Sequence, residues 1–250
     1  MDKIIKSYAD QGFHKEIGRL IKRYSKNQKD IREEVNRLVE FDKYRRLLDI
    51  GCGYGWFIEL LPVGFDLIMG IDCNNENEHE FIKICEKKAK ETVFKRLMLP
   101  AHIDMPSGYF DLISSAYSLY FFPDALSEIK RLLNPDGLFI VITHSRSMLE
   151  EGEKFFNFDN LRKVIESFSA ENGYGILKNY FSRITYTDFP NELVFKEEDS
   201  TALVQYIEFK KAFIEKDVDP ETVKEKMLEE LKVKKILTFN KNDRIFLARP

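Results

Sequence analysis

The stretch that decides the fold is Leu47-Leu-Asp-Ile-Gly51-Cys-Gly53-Tyr-Gly55, an apolar run that leads into three alternating glycines. The apolar run indicates a short buried strand. Glycines at the end of a strand let the backbone turn tightly and approach a ligand, because no Cβ stands in the way. The helix that we predict after the turn offers free N–H groups and the positive end of its dipole. The segment therefore predicts a ligand-binding strand–turn–helix unit.

Two carboxylates accompany this turn. Asp49 lies two residues before the first glycine, and Asp72 ends the next predicted strand, 21 residues beyond Gly51. Asp72 thus occupies the usual place of a carboxylate that accepts hydrogen bonds from ribose hydroxyls. A carboxylate at Asp49 suits a cationic ligand group, such as the ammonium of an amino acid, and would repel a pyrophosphate.

Glycine-rich turns also bind dinucleotides, so the spacing of the glycines has to distinguish a dinucleotide site from a site for another ligand. The dinucleotide fingerprint requires glycine at the sixth position of G-x-G-x-x-G. Trp56 occupies that position here and would crowd both the pyrophosphate and the helix. This disfavours a nicotinamide-dependent oxidoreductase. An ordinary strand–turn–helix with incidental glycines remains the simpler alternative.

Strand and helix patterns alternate around the turn. Strands are predicted at residues 46–51, 66–72, 93–99, 110–115 and 138–143, helices at 56–61, 78–91 and 123–133, and a turn at 134–137. Such alternation predicts a parallel sheet with helices on both faces, and ligands beyond the carboxyl ends of its strands.

The two ends of the chain follow other patterns. Amphipathic helices are predicted at residues 13–24 and 31–39, a helix at 160–168, strands at 183–188 and 192–195, helices at 199–213 and 220–231 with Asp219 as N-cap, and a closing strand at 244–248.

Composition narrows the class of protein. The chain has 250 residues, 44% of them hydrophobic, which is enough for a substantial core. Its net charge of -3 offers no basic field for a nucleic acid. The cysteines, Cys52, Cys73 and Cys85, form no C-x-x-C pair, so we expect neither a disulfide framework nor a metal site. The start of the chain lacks the pattern of a signal peptide and no stretch has the length of a membrane span, so we expect a cytoplasmic protein.

Four segments together resemble the signature motifs of class I S-adenosylmethionine-dependent methyltransferases, and of their small-molecule, type 11-like members in particular. Residues 47–55 resemble the first motif, residues 70–72 the second, residues 109–115 the fourth, and residues 125–138 the helix and turn before strand five. The resemblance covers about residues 45–145. It implies a Rossmann-like α/β fold with a mostly parallel seven-stranded sheet, helices on both faces and a C-terminal helical insertion.

The resemblance also implies a division of the chain and a cofactor, S-adenosylmethionine, with S-adenosylhomocysteine as product. Residues 1–42 would form an N-terminal lid, 43–190 the cofactor-binding core, 191–234 an insertion that caps the acceptor site, and 235–250 the closing strand. The residues implied in cofactor binding are Tyr8, Asp49, Gly51, Cys52, Gly53, Asp72, Cys73, Pro100, Ala101, Ser115 and Ala116.

The sequence motifs indicate the catalytic residues less clearly than the cofactor-binding residues. Leu119 stands just before Tyr120, where the family often has histidine, so the motif itself supplies no general base. His144, which follows strand five, and Tyr117 and Tyr120, which follow strand four, are the candidates for catalysis. Ordinary loop or packing roles are their alternatives.

Three further residues are candidates for substrate binding, namely Arg146, Tyr206 and Phe209. Arg146 could pair with an acidic substrate group. The two aromatic residues would face the acceptor from the insertion, and their alternative is to anchor the inserted helices.

The sequence thus predicts an enzyme that methylates a small or medium-sized metabolite at oxygen, nitrogen, sulfur or carbon, as a monomer or homodimer without nucleic-acid or membrane partners. A cofactor-binding protein without transferase activity is one alternative. An RNA methyltransferase is another, although no basic stripe supports it.

Overall fold

The computed structural model describes residues 11–155, 159–210 and 219–250, which fall into two compact units. The core unit comprises Lys29–His144, Glu166–Phe189 and Asp243–Pro250. The second unit comprises the described residues of Met1–Gln28, Ser145–Ile165 and Pro190–Asn242.

The strands follow the sequence prediction in most places. They are β1 (Arg46–Ile50), β2 (Phe65–Asp72), β3 (Ala89–Arg96), β4 (Phe110–Ala116), β5 (Leu133–His144), β6 (Arg183–Phe189), β7 (Glu192–Lys196), β8 (Ile236–Asn240) and β9 (Asp243–Arg249). A seven-stranded sheet with the order β3-β2-β1-β4-β5-β9-β6 forms the centre of the core unit. Its strands β1 to β5 pair in parallel, whereas β9 is antiparallel to both β5 and β6. The predicted mostly parallel seven-stranded sheet is confirmed.

The α-helices of the described residues are α1 (Gln11–Tyr24), α2 (Ile31–Leu38), α3 (Trp56–Glu59), α4 (Glu78–Cys85), α5 (Leu126–Leu132), α6 (Asp159–Glu166), α7 (Gly173–Leu177), α8 (Ser200–Lys210) and α9 (Pro220–Lys234). A single-turn 3₁₀ helix, Pro123–Ala125, precedes α5 and carries proline at its first position. Proline suits that position because its missing N–H would have no partner inside the helix.

Strand β1 lies in the middle of the core unit, between β2 and β4. Its residues Leu47, Leu48 and Ile50 are wholly buried, which explains why the run is apolar at successive positions instead of alternating. The carboxyl ends of β1, β2, β4 and β5 lie at one edge of the sheet, and the glycine turn leaves from that edge. The first residue of β9, Asp243, reaches the same edge because β9 runs in the opposite direction.

Two predicted elements were wrong in detail. The helix predicted over residues 78–91 ends at Cys85, and Ala89 already belongs to β3, where it pairs with Phe65. The lysines and glutamates among residues 86–91 are compatible with a helix and with an edge strand. From Ala89 onwards the chain is a strand because it pairs with β2. The turn predicted at residues 134–137 falls inside β5, at an irregularity where the pairing with β4 moves from Leu133 to Leu138.

The second unit contains its own two-stranded sheet, in which β7 pairs with β8 in antiparallel fashion. Strand β8 was not predicted from the sequence. Helix α9 begins as predicted, because the Asp219 side chain accepts hydrogen bonds from the backbone N–H groups of Glu221 and Thr222. Among the described residues no helix is long and apolar enough to cross a membrane.

The packing of α4 on β2 yields a stability prediction. A Cβ added at Gly70 would lie 2.3 Å from Cζ of Phe81, whose side chain is wholly buried. We expect Gly70→Ala to lower the free energy of unfolding by about 1–3 kcal/mol, because the ring has no room to move. Urea denaturation measures this value. Gly175→Ala in α7, where an added Cβ meets no atom within 4 Å, is the control and should not destabilise the protein. Equal stability of the two variants would contradict the close packing.

Candidate active site at the carboxyl edge of the core sheet

The glycine turn is held in a left-handed backbone conformation. Gly51 and Gly53 have φ angles of 66° and 52°, a region that side chains other than glycine rarely adopt. The N–H groups of Gly51 and Cys52 donate to the carbonyl oxygen of Ile71 at 2.8 and 3.1 Å. These bonds tie the turn to the end of β2, so that the loop has a fixed position before any ligand arrives.

Gly51 and Gly53 have different surroundings. A Cβ at Gly51 would lie 2.4 Å from Cβ of Ser118, whose hydroxyl donates to the carbonyl oxygen of Ile50 at 2.8 Å. The Ser118 and Ser115 hydroxyls are themselves 2.7 Å apart. A Cβ at Gly53 would meet no atom within 4 Å. Gly51 therefore permits close packing inside the protein, whereas Gly53 leaves open space beside the loop.

Asp72, at the end of β2, braces the loop through its carboxylate. Oδ2 accepts from the N–H of Gly53 at 2.9 Å and Oδ1 from the N–H of Asn74 at 2.8 Å. Burial raises the pKa of Asp72, and these hydrogen bonds act in the opposite direction. A carboxylate oxygen can accept more than one hydrogen bond, so Asp72 retains capacity for ligand hydroxyls.

Asp49 is the most unusual group of the site. Its side chain lies inside β1 with the residue only 2% exposed, and its Oδ1 accepts from the Ser114 hydroxyl at 2.7 Å. Burial, with a smaller contribution from the negative charge of Asp72, raises the pKa of Asp49 to about 7. Near neutral pH this carboxyl is thus poised between its two forms, and a cation beside it would favour the charged form.

The two cysteines implied in cofactor binding both have thiol pKa values above the usual range. Burial, together with the charges of Asp49 and Asp72, raises the pKa of the Cys52 thiol well above its usual range. Burial likewise raises the pKa of Cys73, which follows Asp72. Since the thiolate is the reactive form, both groups remain neutral thiols at physiological pH.

Three other residues implied in cofactor binding lie at more distant points of the chain. Pro100 and Ala101 follow β3 in an irregular segment, and Ala116 ends β4. Tyr8 lies outside the described residues.

The candidate catalytic residues meet at the same edge. The ring of His144, the last residue of β5, stacks on Tyr117 with centroids 4.6 Å apart and on Tyr120 at 5.8 Å. Their common partner is Asp243, which was not predicted from the sequence. Its Oδ1 lies 2.7 Å from Nδ1 of His144, and its Oδ2 accepts from the Tyr117 hydroxyl at 2.7 Å.

Trp56, at the position where dinucleotide-binding turns carry glycine, extends this row of rings. Its ring centroid lies 5.6 Å from that of Tyr117. The guanidinium of Arg32 lies over the Trp56 ring, 4.5 Å from its centroid. The same guanidinium donates a hydrogen bond to the Trp56 carbonyl oxygen at 2.6 Å. The side chains of Asp30 and Glu59 accept from the same guanidinium. Helix α3 is therefore anchored at its first residue by α2.

The predicted substrate-binding residues lie in the second unit. Arg146 is exposed, and its carbonyl oxygen accepts from Arg162. Tyr206 and Phe209 are both buried on α8. Tyr206 packs against Phe195 at 5.9 Å, and Phe209 against Phe13 at 5.9 Å. These contacts suit an anchoring role within that unit, and substrate binding by the three residues stays a prediction.

One signal could have revealed Asp243. It stands directly before the closing strand, and a final strand that enters antiparallel to β5 must begin beside the residue at which β5 ends. Register then places Asp243 opposite His144. No comparable signal marks the contact of Arg32 with Trp56 or that of Ser114 with Asp49, because the two residues of each pair lie on separate elements. Among the described residues, no group of three or more His, Cys, Asp or Glu side chains could hold a metal ion.

Comparison with known proteins identifies a protein family and a common fold. Residues 23–199 match a protein family described as a methyltransferase domain. The YcgJ protein of Bacillus subtilis has a similar crystal structure, with a TM-score of 0.59 and 17% identity, over 88% of this chain and 98% of that one. At that level of identity the similarity establishes a common fold.

Two curated proteins are also similar in sequence. An uncharacterised protein of Haemophilus influenzae is 26% identical over 131 residues, which are 49% of this chain and 52% of that protein. An uncharacterised protein of Methanocaldococcus jannaschii is 26% identical over 165 residues, which are 65% of this chain and 62% of that protein. The chain thus spans less than two thirds of the length of either relative.

The raised pKa of Asp49 predicts a pH-dependent stability. Since the pKa of about 7 exceeds the ordinary 3.8, the folded chain binds more protons than the unfolded chain between these values, and stability falls as the pH rises through that window. Replacing Asp49 with asparagine removes this contribution. Between pH 5 and pH 8, we expect the unaltered protein to lose on the order of 2–3 kcal/mol more of its unfolding free energy than Asp49→Asn does.

Urea denaturation at both pH values, without ligand, makes the measurement. The two proteins share Asp72 and all other titrating groups, so the difference between them isolates Asp49. Identical pH profiles would show that the Asp49 carboxyl is not protonated in the folded state.

Proposed function

Because this chain belongs to the class I S-adenosylmethionine-dependent methyltransferases, we propose that it transfers the methyl group of S-adenosylmethionine to a small or medium-sized metabolite. The acceptor atom would be oxygen, nitrogen, sulfur or carbon. The observation that carries this proposal is the buried carboxyl of Asp49 below an open glycine loop. That arrangement favours a ligand with a cationic amino-acid end and a neutral body over a dinucleotide.

The residues present fit the cofactor. A cation beside Asp49 would offset the cost of its buried charge, and the open space at Gly53 would admit the ligand to the loop. Asp72 would accept hydrogen bonds from the ribose hydroxyls. The remaining contacts would come from residues around the loop and the ends of the neighbouring strands, namely Gly51, Cys52, Cys73, Pro100, Ala101, Ser115 and Ala116.

Bound S-adenosylmethionine supplies an electrophilic methyl group, so the main task of the protein is to align the acceptor. Alignment of two reactants can contribute on the order of 7–11 kcal/mol to a rate enhancement. Tyr117, Tyr120 and His144 would face the acceptor, because they lie where strands β4 and β5 end. Substrate binding by Arg146, Tyr206 and Phe209, which belong to the second unit, is a further part of the proposal and rests on the sequence alone. We expect a small-molecule acceptor, no nucleic-acid partner, and a monomer or homodimer.

A second candidate is a protein that binds the cofactor without transferring its methyl group. Leu119 favours it, because this residue is buried and has no atom that could take a proton. Tight cofactor binding, with no S-adenosylhomocysteine released in a screen of acceptors, would support that alternative. Release with any small acceptor would support methyl transfer. An RNA acceptor would instead require RNA binding that weakens steeply with salt.

Gly53 provides the direct test of the cofactor site. We expect Gly53→Ala to weaken the binding of S-adenosylmethionine at least tenfold, about 1.4 kcal/mol, because its Cβ would project into the open space beside the loop. Isothermal titration measures the affinity. Gly108→Ala is a matched control, since Gly108 also has a left-handed φ of 68° and the nearest atom to its Cβ would be 3.8 Å away. Gly108 precedes β4, at the opposite edge of the sheet.

Both substitutions force alanine into the left-handed region and should cost about 1–2 kcal/mol of stability. Only the variant at Gly53 should lose affinity. Equal affinity in the two variants would remove the loop from the cofactor site.

A further inference from the structure

The side chains of Tyr117, His144 and Asp243 form a connected cluster, which we call the carboxylate bridge, at the carboxyl edge of the core sheet. Tyr117 follows β4, His144 ends β5 and Asp243 begins β9. The antiparallel pairing of β5 with β9 places His144 directly opposite Asp243. Three separate elements thus converge on one carboxylate.

The carboxylate bridge is largely shielded from solvent. The side chains of His144 and Asp243 are 13% and 5% exposed. Asp243 uses one oxygen for each ring partner, Oδ1 for Nδ1 of His144 and Oδ2 for the Tyr117 hydroxyl, both at 2.7 Å. Burial and the Asp243 charge raise the pKa of Tyr117 well above its usual range, so Tyr117 remains a neutral donor. Asp243 therefore accepts from Tyr117, and its other oxygen favours a proton on Nδ1 of His144.

Tyr117 is held in a strained conformation to make this contact. Its φ angle is 56°, in the left-handed region that a tyrosine rarely adopts. Its N–H donates to the carbonyl oxygen of Ile142 at 2.8 Å, and its ring stacks on His144. Strained residues of this kind persist where the surrounding structure over-determines them, and they concentrate at functional sites.

The geometry points to Asp243 as a positioning residue that makes His144 a general base. A carboxylate that accepts from Nδ1–H fixes the neutral imidazole in one tautomer, with the lone pair on Nε2. The same negative charge stabilises the imidazolium that forms when Nε2 takes a proton. Tyr117 holds the carboxylate from its other side. This arrangement supplies the base that Leu119 does not provide.

This inference rests on the proposed methyl transfer and narrows its substrate class. A base at Nε2 serves an acceptor whose attacking oxygen or nitrogen carries a proton. The O–H or N–H bond breaks and its proton goes to Nε2, while the electron pair of the acceptor atom forms the new bond to the methyl carbon. The carbon–sulfur bond breaks with its pair left on sulfur, which yields S-adenosylhomocysteine and the methylated acceptor. His144 then returns its proton to water.

The tautomer of His144 and the pH range in which its ring titrates are the readouts together. A base must be neutral with its lone pair on Nε2 near neutral pH, whereas a contact that only joins β5 to β9 serves equally well as a permanent ion pair. The chain has four histidines, so His144→Gln assigns the signal in a long-range ¹H–¹⁵N spectrum of the imidazoles. The titratable groups that contact the His144 ring include Asp243, Tyr117 and Tyr120. In the unaltered protein we expect the neutral ring to carry its proton on Nδ1 and to titrate to imidazolium as the pH falls.

Two variants separate the contributions of Asp243 and Tyr117 to the tautomer and titration of the His144 ring. Asp243→Asn should shift the neutral ring towards the Nε2–H tautomer and lower the midpoint of its titration. Tyr117→Phe, which removes the other hydrogen bond to the same carboxylate, should leave the proton on Nδ1. If Asp243→Asn does not fold, the tautomer and titration of His144 in the unaltered protein still test the inference.

An Nε2–H tautomer in the unaltered protein would overturn the inference, as would a titration midpoint that Asp243→Asn leaves unchanged, because that variant removes the negative charge whichever way its amide is turned. An imidazolium that persists from pH 6 to pH 9 would also overturn it, because such a ring is a fixed cation and no base. The proposed function fails separately. A protein that shows the Nδ1–H tautomer but does not bind S-adenosylmethionine would retain the positioned histidine and lose the methyltransferase proposal.

Discussion

A carboxyl group buried in the middle of a parallel sheet is the feature on which the site depends. Asp49 interrupts the apolar strand β1, receives one hydrogen bond from Ser114 and has a pKa raised to about 7 by burial and by Asp72. A charge at a core position raises the free energy of the folded protein unless a partner of opposite charge offsets that cost. The adjoining glycine loop, tied to β2 by backbone hydrogen bonds, leaves open space at Gly53 in which a cationic ligand could do so.

The second organising constraint is the direction of the last strand. A parallel final strand would begin at the far edge of the sheet and bring only its last residue to the site. Because β9 is antiparallel, its first residue, Asp243, stands against His144 at the edge where β4 and β5 end. The glycine turn and the carboxylate bridge therefore share one edge of the core unit, although the first lies around β1 and β2 and the second around β4, β5 and β9. Trp56 connects them, since it opens α3 after the loop and its ring contacts Tyr117.

Much of this could be predicted from the sequence, and the failures have physical causes. The apolar runs of β1, β2, β4 and β5, the glycine turn and the two carboxylates are local patterns, so the sheet and the position of the turn at its carboxyl edge could be predicted from the sequence. The end of α4 was misplaced because lysines and glutamates suit a helix and an edge strand equally, and only pairing with β2 decides. Asp243 was missed because its partners are 99 and 126 residues away in the chain. Its place opposite His144 follows from register, and the register follows only once the closing strand is known to run antiparallel to β5.

The most direct test counts the protons released when a ligand binds. If a ligand ammonium settles beside Asp49, the carboxyl must ionise, and at a pH just below its pKa it gives up a proton. Isothermal titration with S-adenosylhomocysteine at pH 6.5, in two buffers that differ in ionisation enthalpy, measures this number. We expect release of roughly half a proton or more for each molecule bound, and much less from Asp49→Asn. Binding without release, or with uptake of protons, would contradict the assignment of Asp49 and with it the cofactor site.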